Sequence, residues 1–460
     1  MKVVKFGGSS LASGPQLQKA IKIVEEDTER KIIIVSAPGK RFPDDIKVTD
    51  LLLELFNNYG NKKVDDKLRQ KIVKRYFDIA NYFHLEENIS SELNSHLKKV
   101  EESKYPNQAY FKVALLAQGE HMSAWLINKI CQNLNLDTIC LFPEKIGLYV
   151  SIKPAHARLL SQSYANIAKV KSKIKSKIIF PGFYGITKSG LINTFARGGS
   201  DITGSIWAKG VSANVYENFT DVDAIYSANP DIVKNPKPIS IMTYSELREL
   251  SYAGFKVFND EAVLPAIKGN IPINVKNTNF PNKKGTLILP AEKIHNNLKK
   301  NITGIASQNN FDALYLHRYF INREVGFGLK ILKILSDLKI SYEHMPSGID
   351  DVTIIINQDQ LTKKKKDILT KKIRAQIKPD SLAWKNNYAI IMIVGQGMLN
   401  QVESLSKIID PLKKANILIN MVNQGASETS IMLGIGSQDE KEAVKAIYQA
   451  NFKNKGNKKS

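Results

Sequence analysis

The sequence has few cysteines and no long apolar run. Only Cys131 and Cys140 occur in 460 residues, which argues against a disulfide framework and is typical of proteins in a reducing compartment. The best apolar stretches, Ile32 to Val35 and Ala389 to Val394, have the length of strands and are too short to cross a bilayer. Two glycines stand near the N-terminus where a signal peptide would need its apolar segment. We therefore expect a soluble cytoplasmic protein that makes no use of a membrane.

Two kinds of site motif are also missing. The chain has no Gly-x-x-x-x-Gly-Lys-Ser/Thr loop, so a phosphate site would have to be built in another way. It has no His-Glu-x-x-His and no paired Cys-x-x-Cys, and its seven histidines show no metal-ligand spacing. We expect no metal ion bound by protein side chains alone.

Acidic residues are scarce relative to basic ones. Lysine and arginine total 66 against 44 aspartates and glutamates, giving a formal net charge of +22. Proteins that read phosphates or bases favour arginine, but here 56 basic residues are lysines and ten are arginines. The densest runs, Lys363 to Lys366 and Lys453 to Lys459, lack interleaved aromatics. We interpret the excess as a solvated surface and expect no nucleic-acid partner; nucleic-acid binding remains an alternative that charge alone supports.

The first part of the chain has the pattern of a parallel α/β protein. Residues 2–6 form an apolar strand pattern, residues 16–26 have helical spacing, and residues 31–35 are β-branched and apolar. This order of strand, loop, helix and strand is the usual opening of a parallel sheet. Residues 50–134 are mostly helical in pattern. At 43% hydrophobic and 24% charged residues, the chain is globular, and it is too long for a single core.

The pattern changes after Pro290. Two strand–helix–strand units of similar size follow in tandem, with helices predicted at residues 328–338 and 402–415. Such a repeat indicates a duplicated small module. We place the domain boundary near Lys293.

A glycine-rich turn follows the first predicted strand. The segment Lys5-Phe6-Gly7-Gly8-Ser9-Ser10 lets the backbone approach a phosphate closely, with N–H groups as donors. Lys5 would place an ammonium near a transferring phosphoryl group. Two glycines alone fit an ordinary strand-to-helix turn equally well.

Two further segments favour phosphate chemistry. Residues 193–201 again place glycines at a predicted helix entrance, with Arg197 and Asp201 beside them. Residues 219–230 form an acidic, turn-rich loop. Each acidic residue alone is more often a cap or a turn former. Together with the first segment they supply cationic donors, backbone donors and carboxylates that order lysines or Mg²⁺, as phosphoryl transfer requires.

These segments resemble the signatures of aspartate kinases, within the amino-acid kinase family. The motifs that carry the resemblance, in chain order, are Lys5 to Ser10, Arg197 to Asp201, Thr220 to Tyr226, Ser245 to Ala262 and Ile271 to Leu287. The tandem C-terminal units resemble ACT domains, with a family-like string at Gln424 to Glu428.

The resemblance implies a fold and a division of the chain. It predicts an amino-acid kinase-type α/β/α sandwich followed by two ACT-like ferredoxin-type βαββαβ modules. The predicted domains are residues 1–292 for catalysis, residues 293–382 for the first ACT-like unit, and residues 383–460 for the second unit and a basic tail.

The resemblance also implies an activity and its residues. ATP, with Mg²⁺, would phosphorylate the β-carboxylate of L-aspartate to 4-phospho-L-aspartate, the first step towards lysine (through diaminopimelate), threonine and methionine. Lys5 would stabilise the transferring phosphoryl group and Asp201 would hold the active-site lysines. The implied aspartate-binding residues are Thr49, Glu120, Phe183, Arg197 and Ser200, and the implied nucleotide-binding residues are Lys5, Gly7, Gly8, Ser9, Thr220, Asp221, Tyr226 and Lys256. Lysine or threonine would regulate the enzyme at the ACT-like units of a homodimer or homotetramer.

Three segments depart from the family pattern. Asn229-Pro230-Asp231 stands where Asp-Pro-Arg is usual, which predicts weaker ATP binding or a shift of the arginine's role to Lys234 or Lys237. Residues 256–260 and the expected effector loop, residues 319–325, also differ. Two alternatives stay open: a kinase for another carboxylate or phosphate acceptor, and a catalytically silent amino-acid sensor.

Overall fold

The structure is a computed structural model. It describes residues 1–85, 88–196, 198–255, 260–295, 301–398, 403–424 and 429–453. The chain separates into two compact units, of which the first comprises Met1–Ile225, Pro238–Tyr244 and Lys256–Ile294, and the second Tyr226–Lys237, Ser245–Phe255 and His295–Ser460.

Most described strands of the first unit form one mostly parallel sheet. They are β1 (Lys2–Phe6), β2 (Arg30–Val35), β3 (Thr138–Cys140), β4 (Lys177–Pro181), β7 (Val215–Thr220), β8 (Ile241–Thr243), β9 (Ile273–Asn277) and β10 (Thr286–Leu289), and a separate hairpin consists of β5 (Tyr184–Ile186) and β6 (Ile192–Thr194). In the described part of this unit the sheet order is β3-β4-β2-β1-β7-β9-β10-β8. The pairings from β3 to β9 are parallel, and β10 pairs antiparallel with β9. The carboxyl ends of β4, β2, β1 and β7 therefore meet at one edge of the sheet, where ligands bind in open α/β sheets.

Helices flank this sheet. Those up to residue 294 are α1 (Gly14–Glu25), α2 (Val48–Asn57), α3 (Lys62–Tyr82), α4 (Ile89–Glu102), α5 (Gln108–Asn133), α6 (Pro143–Ile146), α7 (Gln162–Lys171), α8 (Gly199–Gly210), α9 (Tyr244–Tyr252, mostly in the second unit) and α10 (Leu264–Lys268). The predicted opening of strand, loop, helix and strand is confirmed, as is the helical character of residues 50–134. Pro15 lies in the first turn of α1, where its missing N–H has no cost.

One hydrophobic core lies between α1–α5 and one face of the sheet. Buried side chains at helical spacing, such as Leu17, Ile21 and Val24 of α1, pack there against apolar residues of the strands, such as Ile33 of β2. Because α5 is buried along much of its length, the residues at its middle are brought to the sheet edge by packing. Among the described residues, none of the helices combines the length and the apolar character that a membrane span requires.

The second unit is built on an antiparallel sheet. Its elements are β11 (Gly304–His317), α11 (Phe327–Asp337), β12 (Asp351–Asn357), α12 (Lys363–Gln376), β13 (Ser381–Val394), α13 (Ser406–Lys414), β14 (Ile419–Gln424), β15 (Ser430–Gly436) and α14 (Glu440–Phe452). The order of the described strands is β12-β11-β13-β15-β14.

Each of the two long strands of this sheet, β11 and β13, contributes side chains to two hydrophobic cores. Residues 304–308 of β11 pair with residues 390–394 of β13, whereas residues 313–317 pair with residues 381–385 and with β12. One core gathers α13, α14 and β15, and the other gathers α11, α12 and β12. This α/β arrangement confirms the predicted fold class of an amino-acid kinase-type unit followed by ACT-like modules. The predicted domain limits remain a prediction.

Candidate active site

The loop after β1 packs backbone to backbone against the loop after β2. The N–H of Gly39 donates to the carbonyl oxygen of Gly8 at 2.8 Å. A Cβ on Gly8 would lie 2.9 Å from the Ala37 carbonyl oxygen, and one on Gly39 would lie 2.6 Å from the Gly8 carbonyl carbon, so both positions need glycine. The N–H of Gly7 donates to the Phe219 carbonyl oxygen at 3.1 Å. The loop donors left for a phosphate are therefore those of Gly8 and Ser9, at the start of a 3-10 turn, rather than that of Gly7.

Lys5 and Asp201 form a direct ion pair beside this loop. The Lys5 Nζ atom lies 2.7 Å from Asp201 Oδ1, and the lysine side chain is only 9% exposed. Asp201 stands in the first turn of α8, and Asn218 of β7 is the register partner of Lys5. The Asn218 Nδ2 atom donates to the same Asp201 oxygen at 2.7 Å. One carboxylate oxygen thus accepts from a cation and an amide, which fixes the direction of the Lys5 ammonium.

Glu120 contributes a buried carboxylate to the same region. It lies in the middle of α5 and is 5% exposed, and its Oε1 accepts from Ser200 Oγ at 3.5 Å. Its Oε2 is buried and has no hydrogen-bond partner among the described residues. Burial raises the pKa of Glu120 to about 7, against the lowering influence of hydrogen bonds and of the Lys5 charge. A cation placed at Oε2 would stabilise the ionised form of this carboxylate.

Phe183 adopts a strained backbone conformation two residues after β4 ends. Its φ of +74° lies in the left-handed region, which is unfavourable for a bulky residue. Its N–H donates to Thr203 Oγ1 at 3.1 Å, and a Cβ on Gly199 would lie 2.5 Å from the Phe183 ring. The absence of a side chain at Gly199 therefore leaves space for the Phe183 ring. A Cβ on Gly182 would lie 2.6 Å from Ser200 Oγ, so this position also needs glycine.

Thr49 lies against the turn of α5 that carries Glu120. Its methyl carbon is 3.9 Å from where a Cβ on Gly119 would stand. The same turn is fixed by the Tyr76 hydroxyl, which donates to the Gly119 carbonyl oxygen at 2.6 Å. Ser200 thus contacts the Glu120 carboxylate, while Thr49 and Phe183 lie next to the chain neighbours of Glu120 and Ser200, respectively.

A cleft of about 240 Å³ lies beside the glycine loop. Ser9, Thr220 and Asp221, which are among the residues predicted to bind the nucleotide, line this cleft. Lys40 and Arg41 line it as well. The Arg41 guanidinium pairs with a carboxylate on its own loop at 2.9 Å. Lys40 donates to a backbone carbonyl, and no carboxylate within the described ranges pairs with it.

Some predicted site residues are not placed in this site. Arg197, Lys256 and residues 425–428 lie outside the described residues. Tyr226 is the first residue of the second unit. Residues 229–231 also belong to that unit, where Asn229 Oδ1 accepts from the Asp231 N–H at 3.0 Å in an Asx turn.

Sequence reasoning missed Asn218 and Lys40. Asn218 is the residue just before the Phe219 that opened the predicted acidic loop, and no local pattern marks it. Lys40 follows a predicted strand, β2, and then Gly39. A strand followed by glycine is the same signal that indicated the loop after β1, so Lys40 could have been found from the sequence. No group of three or more His, Cys, Asp or Glu side chains in the described part of the chain could hold a metal ion.

Comparisons with known proteins agree with this architecture. A model of the amino acid kinase family matches residues 1–277, and an ACT domain model matches residues 391–450. Aspartokinase 3 of Bacillus subtilis is 43% identical over 452 residues, covering 98% of this chain and 99% of that protein. The crystal structure of Clostridium acetobutylicum aspartate kinase has a TM-score of 0.84 at 38% identity, covering 98% of this chain and all of that one.

A more distant structure shares the fold. Escherichia coli aspartokinase III, crystallised with aspartate and ADP, has a TM-score of 0.79 at 22% identity and covers 98% of this chain and 100% of that one. With a family model over more than half of its length and a relative 43% identical from end to end, the chain belongs to the aspartokinases of the amino acid kinase family.

Proposed function

We propose that this protein is an aspartate kinase that transfers the γ-phosphoryl group of ATP to the β-carboxylate of L-aspartate, giving 4-phospho-L-aspartate and ADP. The observation that carries this proposal is the buried Lys5–Asp201 pair at 2.7 Å, next to a glycine loop and a buried glutamate. This arrangement provides a cation for a phosphoryl group and an anion for a substrate ammonium within one site.

The chemistry needs little proton transfer. The β-carboxylate of aspartate is ionised at neutral pH, so one of its oxygens attacks the γ-phosphorus without a general base. A bond forms between that oxygen and phosphorus, the bond from phosphorus to the β–γ bridging oxygen breaks, and ADP leaves. Positioning and charge stabilisation therefore carry the rate. Lys5, held by Asp201, which in turn accepts from Asn218, would face the charge on the transferring group.

The aspartate would be held at both ends. Glu120 Oε2, buried without a partner among the described residues, would accept from the substrate ammonium. Ser200, Thr49 and Phe183 would shape the pocket around it. We assign the α-carboxylate to Arg197, on the family motif alone, because a guanidinium fork matches a carboxylate.

The nucleotide would occupy the cleft beside Ser9, Thr220 and Asp221. We propose further contacts from Tyr226 and Lys256, again from the family motif. Mg²⁺ would enter bound to the ATP phosphates, since this ion usually takes one or two carboxylates plus substrate phosphates. Chelation should then abolish turnover and an excess of Mg²⁺ should restore it.

Regulation and assembly are proposed from the ACT-like fold of the second unit. Lysine or threonine would act as the effector, and the enzyme would work in the cytoplasm as a homodimer or homotetramer. We retain the division into residues 1–292, 293–382 and 383–460 as a proposal, with β11 and β13 shared between the two regulatory cores.

A coupled assay of ADP release with L-aspartate and MgATP tests the proposal. L-Glutamate and D-aspartate serve as alternative acceptors, and hydroxylamine traps the acyl phosphate as a hydroxamate. Turnover on L-aspartate with hydroxamate formation is expected. Turnover on another acceptor alone would identify a different amino-acid kinase. A folded chain without turnover, but with saturable binding of lysine or threonine, would identify a silent sensor.

A further inference from the structure

The chain at the end of β9 lies against the cleft beside the glycine loop. We call residues 277–279 the β9 segment; Asn277 is the last residue of β9, and Asn279 lines the cleft. The register partner of Asn277 is Thr220, the last residue of the parallel strand β7, which in turn pairs with β1. Because the carboxyl ends of parallel strands meet at one edge of a sheet, the β9 segment comes to lie beside the loops after β7 and β1.

Thr278 binds the glycine loop through a buried pair of hydroxyls. Its Oγ1 lies 2.7 Å from Ser10 Oγ, and both residues are 2% exposed. The Thr278 N–H donates to the Thr220 carbonyl oxygen at 2.9 Å. Ser10 directly follows Ser9, whose N–H is one of the two loop donors left for a phosphate. Thr278 therefore holds the glycine loop and the end of β7 together at the cleft.

Asn277 joins the β9 segment to the acidic loop after β7. Its Nδ2 donates to the Asp223 carboxylate at 2.7 Å and to the Asp221 carbonyl oxygen at 3.2 Å. Its Oδ1 accepts from the Asn279 N–H at 2.7 Å in an Asx turn. Because both ends of this buried amide have partners, its orientation is fixed. The backbone of Asn279 is thus held in place relative to Asp221.

Asn279 is the exposed residue of the segment. Its Oδ1 accepts from Lys19 Nζ at 2.8 Å. An ammonium can only donate, so this contact assigns the amide oxygen to the side of Lys19 and leaves the Nδ2 hydrogens for another partner. Within the described ranges no protein acceptor takes these hydrogens. Lys40 and Arg41 line the same cleft, and amide, ammonium and backbone donors together suit the oxygens of a phosphate.

We propose that Asn279 donates from Nδ2 to a phosphate oxygen of the bound nucleotide, and that Thr278 and Asn277 are positioning residues that hold Asn279 and the glycine loop around that phosphate. The inference rests on the proposed function and adds a contact from the β9 segment to its nucleotide site. It concerns the nucleotide alone, so KM for aspartate should not depend on these three residues.

Calorimetric titration of the full-length protein with MgADP tests the contact. Asn279→Ala should weaken MgADP binding roughly tenfold, as expected for the loss of one hydrogen bond to a charged group. Asn279→Asp keeps the side-chain shape and the acceptor for Lys19 but places a carboxylate beside the phosphate, so it should weaken binding more than Asn279→Ala. Asn282→Ala, at an exposed position three residues further along the chain, is the matched control and should bind like the wild type.

Two results would contradict this contact. Wild-type affinity of Asn279→Ala would show that the amide does not reach the nucleotide. Wild-type affinity of Asn279→Asp, together with weaker binding by Asn279→Ala, would place the contact on a ribose hydroxyl and exclude the phosphate.

Thr278→Val and Ser10→Ala test the positioning role, because each removes one hydroxyl with little change of shape. Each should raise the Kd for MgADP and KM for ATP roughly threefold and leave KM for aspartate unchanged. The double variant should bind MgADP no more weakly than the worse single variant, since it leaves no unpaired hydroxyl. Ser163→Ala is the control for stability: it removes a hydrogen bond of 2.8 Å to the Tyr149 carbonyl oxygen, outside the cleft, and should lower thermal stability without changing MgADP affinity.

The outcomes separate this inference from the proposed function. If Thr278→Val loses stability as Ser163→Ala does and keeps wild-type MgADP affinity, the hydroxyl pair serves the fold alone and the positioning role is wrong. A wild type that binds MgADP and phosphorylates aspartate, with no variant of the β9 segment impaired in MgADP binding, would refute this inference and leave the proposed function intact. A wild type that binds no MgADP would overturn both.

Discussion

Separating catalysis from stability at the Lys5–Asp201 pair is the most direct test of the active site. Lys5→Met removes the ammonium that lies 2.7 Å from the carboxylate and keeps the length of the side chain. Loss of one preorganised charge-stabilising donor lowers kcat about 10²- to 10³-fold. Asp201→Asn leaves the Lys5 charge but removes a charge-assisted hydrogen bond, which corresponds to about 10- to 100-fold in kcat.

The double variant makes the prediction specific. Because both residues act on one phosphoryl group as a unit, kcat of Lys5→Met/Asp201→Asn should lie within about threefold of kcat for Lys5→Met alone. The free energy of unfolding should instead be lowered more by the worse single substitution than by the double one. Each single substitution leaves a largely buried partner without its counter-charge and should cost about 1–3 kcal/mol. The double substitution leaves no unpaired charge and should cost less than the worse single one.

The assays are ADP release at saturating aspartate and MgATP, and urea unfolding of the four proteins. Two results would refute the reasoning. Near-normal turnover of Lys5→Met would remove the role assigned to the ammonium. Multiplicative losses of kcat in the double variant, together with additive losses of stability, would show that the two residues act independently despite their contact.

Further predictions concern charge and regulation. Because burial raises the pKa of Glu120 above its ordinary 4.5 to about 7, folding takes up a proton between these values, and this carboxyl's contribution to stability falls as the pH rises through that window. Urea unfolding should therefore show Glu120→Gln to be about 1–3 kcal/mol more stable than the wild type at pH 8 but not at pH 4.5. The same variant should have a KM for aspartate at least tenfold higher than the wild type. The control Glu54→Gln, at an exposed position, should show neither change. In the wild type, KM for aspartate should fall as the pH rises through about 7, because the ionised Glu120 binds the ammonium; a flat profile would argue against that contact. Lys40→Met should raise KM for ATP roughly fivefold with kcat nearly unchanged, whereas Lys47→Met, outside the cleft, should leave KM for ATP unchanged. Equal increases in KM for the two variants would show that the lysines act through the overall positive charge of the surface and not through a contact in the cleft. A panel of lysine, threonine and methionine should include at least one inhibitor of the wild type; flat activity across it would leave the ACT-like modules without a regulatory role.

Much of the first unit could be predicted because its local signals agree with its packing. The apolar strand at residues 2–6, the glycine pair and the helical spacing that follows lie at β1, the glycine loop and α1. Proline in the first turn and buried residues on one face fix that helix from the sequence alone. The same holds for β2, whose β-branched run is buried from both sides.

The second unit shows what local signals miss. Helix α12 begins in the lysine run that the sequence presents only as charge, and few of its residues, such as Leu369 and Ile373, are buried. Strand β13 begins at residue 381, although only its second half is a continuous apolar run. The first half alternates between exposed and half-buried positions and is held in the sheet by pairing with β11. Pairing between residues about 70 positions apart leaves no mark on a short stretch of sequence.

Asn218 was also missed in the sequence because its place in the site depends on strand pairing over a long distance in the chain. Asn218 matters because strand register sets it beside Lys5, and its Nδ2 then reaches Asp201. Its Oδ1 is buried and unpaired among the described residues, as is Glu120 Oε2. Unpaired acceptors of this kind destabilise a folded protein by about 1–3 kcal/mol each. A ligand with donor groups in this site would pair with both acceptors. On the proposed function, the substrate ammonium supplies such donors, so the destabilisation of the site without ligand and the affinity for the amino acid would have a common physical cause.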